Sequence, residues 1–163
     1  MDATLKHWLC LWDYLDGNFG GLWQWAAANL GPAEVGWQPV PRVASIGWNL
    51  QHLGEMLDHY LAHVSDRGGP VQQEPLLTMR SGSRDDGRYR DLDAIAAYHR
   101  QVRPAYRAFL LELTAADLDR EIARSGRRPL TYGWAVGHIA EHESYHLGKC
   151  VLLRSLLPAR ART

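Results

Sequence analysis

Apolar side chains recur at steps of three and four residues along four long segments of this chain, and glycines and prolines separate those segments. That spacing is the signature of an amphipathic α-helix, because it places the apolar groups on one face. The first segment runs from about Ala3 to Leu30, with Leu5, Trp8, Leu9, Trp12 and Leu15 on its stripe. Gly17, Gly20 and Gly21 weaken its middle and predict a kink or a split, and Gly31-Pro32 ends it. The second runs from about Val43 to Val64, with Ser45 as N-cap and Ile46, Leu50, Leu53, Leu57 and Leu61 facing inward. The third runs from about Leu92 to Leu113 through Ile95, Tyr98, Val102, Tyr106 and Phe109, with Pro104 predicting a bend or a break. Thr114 then caps a short helical turn over Ala115–Ile122, and Arg124–Pro129 reads as a basic loop. The fourth helix runs from about Tyr132, capped by Thr131, to Leu157; Pro158 ends it and the tail beyond frays. No segment reads as a strand. The sequence therefore predicts an all-α single domain over 1–163, a four-helix bundle. Residues 65–90 carry Gly, Pro, Ser and mixed charge with almost no periodicity. A connection that long reads as a crossover or a functional loop, and it permits the up-up-down-down topology with long crossover connections expected here.

The length of 163 residues suits one domain with a sizeable core. Eighteen basic and eighteen acidic side chains cancel, which argues against a nucleic-acid or anionic-membrane partner. The opening segment is interrupted by Asp2, Lys6, Asp13 and Asp16, unlike a secretory signal, and no apolar run approaches the roughly 20 residues that span a bilayer. Two cysteines, Cys10 and Cys150, fit a reducing cytoplasm better than a disulfide framework. Eight histidines and seven tryptophans accompany only two phenylalanines. Rings with a polar edge in that excess predict a pocket built for ligation, hydrogen bonding or stacking.

The fourth helix reads GHIAEHESYHLGKC, with His138, His142 and His146 at four-residue steps and Cys150 continuing them. The outer two are about 12 Å apart along the axis, so all three cannot bind one ion, whereas an adjacent pair can. A third ligand must come from another helix. His52, near the middle of the second helix, is level with the middle of the fourth whichever way the helices run, which favours His142 and His146 over His138. Three neutral imidazoles leave a coordination position open, the arrangement of a catalytic zinc site, and nickel or ferrous iron also accepts such ligands. Glu55, one turn after His52, is the candidate general base or partner of a ligand. Glu141 and Glu143 point away from the 142/146 face. His59 and His63 form a second pair on a polar face, and Cys150 reads as a buried thiol rather than a ligand.

Two stretches resemble the DinB-like superfamily of metal-binding four-helix bundles. SIGWNLQHLGEMLDHYL at 45–61 is similar to that family's second helix, and HIAEHESYHLGKC at 138–150 to its last long helix. The resemblance implies His52, His142 and His146 as the metal ligands, with His138 a frequent neighbour. Where family members often read HHRGQ, this chain has Tyr145-His146-Leu147-Gly148-Lys149, keeping the ligand and the glycine but not the Arg and Gln. The resemblance further implies a divalent metal (Zn, Ni or Fe) and, as in the characterised bacillithiol- or mycothiol-dependent transferases and isomerases, a low-molecular-weight thiol. Related bundles form the N-terminal part of sulfoxide synthases, whose activity is not expected of this domain alone, and many other members are regarded as metal-dependent hydrolases.

HESYH also satisfies the HExxH pattern of zinc proteases, but no third ligand follows His146. Trp48, one turn before His52, and Trp134, two turns before His142, are the pocket candidates, ahead of Trp23, Trp25 and Trp37. Tyr60 and His99 are near-site candidates without a place. Arg80, Arg84, Arg88 and Arg90 beside Asp85 and Asp86, and Arg127 and Arg128, read as solvated charge or as an anion clamp. The function predicted is a metal-dependent transferase or hydrolase activating a thiol or water on a small-molecule substrate, in a cytoplasmic homodimer. The alternative is a non-catalytic metal- or small-molecule-binding bundle.

Overall fold

A computed structural model of the chain describes residues 3–63, 78, 85, 88–125 and 128–157, with backbone alone at 18–22, 24, 63, 123–125 and 128–129. Four long helices carry the fold: α1 (Ala3–Ala27), α3 (Ile46–His63), α4 (Leu92–Glu112) and α6 (Tyr132–Leu156). Short helices α2 (Pro32–Val35) and α5 (Ala115–Leu118) sit in connections. The expected caps are present. Ser45 Oγ accepts the Trp48 N–H, Thr114 Oγ1 that of Asp117, and Thr131 Oγ1 that of Trp134. α1 continues unbroken through Gly17, Gly20 and Gly21, and α4 through Pro104. Packing along a whole face outweighs one weak propensity or one missing hydrogen bond.

The absence of strands needs correction. β1 (Glu121–Ser125) and β2 (Arg128–Thr131) form an antiparallel hairpin over the segment read as the end of a helical turn and a basic loop. Its strands have five and four residues, too short to show a clear alternation.

The helix directions follow from which ends meet. Leu5 and Trp12 of α1 share one core cluster with Met56 and Leu61 of α3, Phe109 of α4 and Tyr132 of α6. At the other end Ala26 of α1 meets Ile46 of α3, Ile95 of α4 and Leu153 of α6. The four helices therefore run up, down, down and up. This corrects the up-up-down-down expectation: α3 already returns down the bundle after the short connection through α2, and α4 lies parallel to it. The long connection is still a crossover, since it must carry the chain from the end of α3 back to the level where α3 began. Within it, Thr78 lies against the middle of α3 and Asp85 against its start.

The roles considered for Arg80, Arg84, Asp86 and Arg127, for the side chains of His63 and Arg128, and for the tail from Pro158 lie outside the described residues.

Candidate metal centre

α3 and α6 pack antiparallel, with Ile46 level with Cys150, Asn49 with His146, His52 with His142 and Tyr60 with His138. Antiparallel helices bring midpoint to midpoint, so His52 meets the pair on α6. His142 and His146 are one turn apart on one face, with ring centroids 4.4 Å apart. The His52 ring lies 4.9 Å from one and 4.8 Å from the other. One nitrogen from each of the three falls within 4.8 Å of the others. His138 continues the column, 5.5 Å from His142, and stacks on Trp134.

The hydrogen bonds around the rings fix where two of the protons sit. Asn49 Nδ2 donates to the Ala44 and Ser45 carbonyls, so its Oδ1 faces His146 and accepts from Nδ1–H at 2.7 Å. His146 Nε2 is left with a bare lone pair. The Thr78 hydroxyl donates to Glu55 Oε2 in a short bond, so Thr78 Oγ1 accepts from His52 Nδ1–H at 3.2 Å. His52 Nε2 is likewise bare, and it lies 3.2 Å from His142 Nε2. The Nδ1 of His142 is buried without a partner among the described residues. Ligands at 2.0–2.1 Å around one tetrahedral zinc stand about 3.3 Å apart. His52 Nε2 and His142 Nε2 already have that spacing and the third donor lies within 4.8 Å, so the donor set suits a divalent ion. Burial holds all three imidazoles neutral, and the Lys149 charge adds to the effect. His52 is pushed down to about 4, His142 to about 3 and His146 to about 2. Neutral imidazole is the form that binds metal.

Glu55 is buried, and its carboxylate accepts from Gln51 Nε2, the Thr78 N–H and the Thr78 hydroxyl. Among the described residues it reaches His52 through Thr78. That is the place of a residue orienting a ligand, and its oxygens do not line the open side of the site. Glu143 points away from the cluster. It is buried on the far face of α6, where both oxygens meet Arg103 Nη1 at 3.1 and 3.2 Å. Arg103 also donates Nε to Asp16 at 2.5 Å and lies over the Trp12 ring. His99 is placed away from the cluster as well, with Nε2 on the Leu50 carbonyl. Cys150 is fully buried, with its thiol pushed up to about 12 by desolvation.

A cavity of about 730 Å³ opens beside the cluster, reached by His52 and His146 and walled by the loop before α3 and the C-terminal half of α6. Trp48 lines it and stacks on His52 at 4.8 Å. Trp134 is half exposed, held against His138 and outside that wall. Sequence reasoning missed Asn49, Thr78, Arg42 and Lys149. Asn49 could have been found, since it precedes His52 by three residues and shares its helix face. Thr78 lies in a stretch without periodicity and gave no signal.

The DinB superfamily profile matches residues 21–150 of the chain. The comparison with curated proteins returned no significant match. Among solved structures, a conserved protein from Enterococcus faecalis is similar in fold, with a TM-score of 0.78 and 16% identity, covering 96% of this chain and 98% of that one.

Proposed function

The chain belongs to the DinB superfamily, and from that premise we propose that it is a divalent-metal-dependent enzyme, a thiol transferase or a hydrolase. The observation that carries this reading is the convergence of His52, His142 and His146, from two helices, beside a cavity large enough for a small molecule. Three ligands leave a position open, which suits catalysis better than a purely structural ion. A divalent zinc, nickel or iron ion held there supplies Lewis acidity, keeping a thiol or a water deprotonated near neutral pH.

The chain's own residues do the rest. Asn49 and the Thr78–Glu55 pair hold two imidazoles in the tautomer that leaves Nε2 bare, the nitrogen that would bind a metal. Trp48 covers one face of the His52 ring. Lys149 adds a positive charge felt at all three histidines, which favours an anionic nucleophile. The co-substrate we propose, as the family resemblance implies, is a low-molecular-weight thiol. Balanced charge supports a small-molecule substrate over nucleic acid or membrane. Among the described residues no helix is long and apolar enough to cross a bilayer. The setting we propose is a cytoplasmic homodimer.

Elemental analysis of the purified chain tests the reading. About one divalent ion per chain is expected, lost in both His52→Ala and His142→Ala. Full occupancy in either variant overturns the ligand set. Metal retained without turnover of any thiol and electrophile pair places the chain among non-catalytic binding bundles instead.

A further inference from the structure

Among the described residues the charges around the cavity are unbalanced: Arg42 and Lys149 both line it, against a single carboxylate, Asp85. The Asp85 Oδ2 accepts the Ser45 N–H at 2.7 Å at the start of α3, so its charge is directed into that backbone. Neither cation has a carboxylate partner among the described residues. Lys149 Nζ instead rests 3.9 Å over the Tyr145 ring, a contact that parks an ammonium without neutralising it. Arg42 is held at φ 79, a left-handed conformation that costs a side-chain-bearing residue energy. That turn puts an arginine at the cavity mouth. The three neutral imidazoles bring no negative charge, so a divalent ion on them keeps its full charge and deepens the imbalance. Trp48, Leu152 and Leu156 make the remaining wall apolar.

We propose that the cavity selects small molecules with an apolar or aromatic body and a carboxylate, the body lying on Trp48, Leu152 and Leu156 and the carboxylate meeting Arg42 and Lys149. The inference names the substrate class of the metalloenzyme proposed above and rests on that reading for its catalytic meaning. The charge selection itself does not need the metal.

The test is calorimetric binding of 4-phenylbutyrate and of its uncharged amide, 4-phenylbutyramide, to metal-free and zinc-loaded protein at low salt. The carboxylate is expected to bind about tenfold more tightly than the amide in both forms. Arg42→Gln and Lys149→Gln are each expected to weaken the carboxylate by two- to about fivefold, less at high salt, and to leave the amide unchanged. Lys149→Arg is expected to retain the preference. Equal affinity for the two compounds, no binding of either, or an unaltered preference in the Arg42→Gln/Lys149→Gln double variant overturns the proposal. A failed metal analysis with the charge preference intact overturns only the metalloenzyme reading.

Discussion

His146 has its proton placed by one asparagine whose own amide is pinned by two backbone carbonyls. Replacing Asn49 with Leu removes the acceptor that keeps Nδ1 protonated. Zinc affinity is expected to fall about 10- to 100-fold, read by competition with a coloured chelator, while Asn49→Asp retains most of it. On the far side of the same helix, Glu143 and Arg103 are both buried, with side chains 2% and 7% exposed. Arg103→Met strands the carboxylate. A loss of about 3–5 kcal/mol in urea unfolding is expected, largely recovered in the Arg103→Met/Glu143→Leu double variant. Asp16, which is 42% exposed, retains solvent and adds little to that loss. The histidine spacing on α6 was legible residue by residue, since it follows from helical geometry alone. The partner of Glu143 was not, because Arg103 comes from α4 and is itself tied to Asp16 of α1.

Two helical glycines separate the demands of packing from those of propensity. A Cβ on Gly47 would lie 1.8 Å from the Tyr89 carbonyl oxygen, so α3 approaches the chain leading into α4 as only glycine allows. Gly148, on α6, has nothing within 4 Å of the same position. Gly148→Ala is expected to raise stability by about 0.5–1 kcal/mol, and Gly47→Ala to lower the melting temperature sharply or abolish folding. Thermal unfolding by circular dichroism checks both, and equal effects would contradict the close approach. At this scale the helix starts were legible, because Ser45, Thr114 and Thr131 cap locally. The hairpin was not, because four or five residues per strand carry too little pattern to outweigh a composition rich in arginine.

For the whole molecule, buried neutral histidines make stability depend on pH. His99 is fully buried and pushed down to about 3, first by desolvation and then by Arg103; His52 and His142 are lowered to about 4 and 3. Between the unfolded value near 6.5 and those folded values, the unfolded chain binds protons that the folded chain does not. Stability therefore falls as pH drops through that window. A fully buried group such as His99 contributes a slope of roughly 1.4 kcal/mol per pH unit. Glu143 acts oppositely, its carboxyl raised by burial against the lowering effect of Arg103, so it favours the folded state at low pH. With more histidines than raised carboxylates, the metal-free protein is expected to be markedly less stable at pH 5 than at pH 7.5, measured by urea unfolding at each pH. A flat profile would mean these rings are hydrated or charged.

The sequence by itself determined the four long helices, their caps and the level at which three histidines could meet, because each depends on spacing along one helix or on the resemblance of two helical stretches. It did not determine the direction of α3, the tautomer of His146, the tie from Thr78 to His52 or the two cations facing one cavity. Those depend on which segments lie side by side: residues 45 and 85, like 46 and 150, are neighbours only once the bundle has closed.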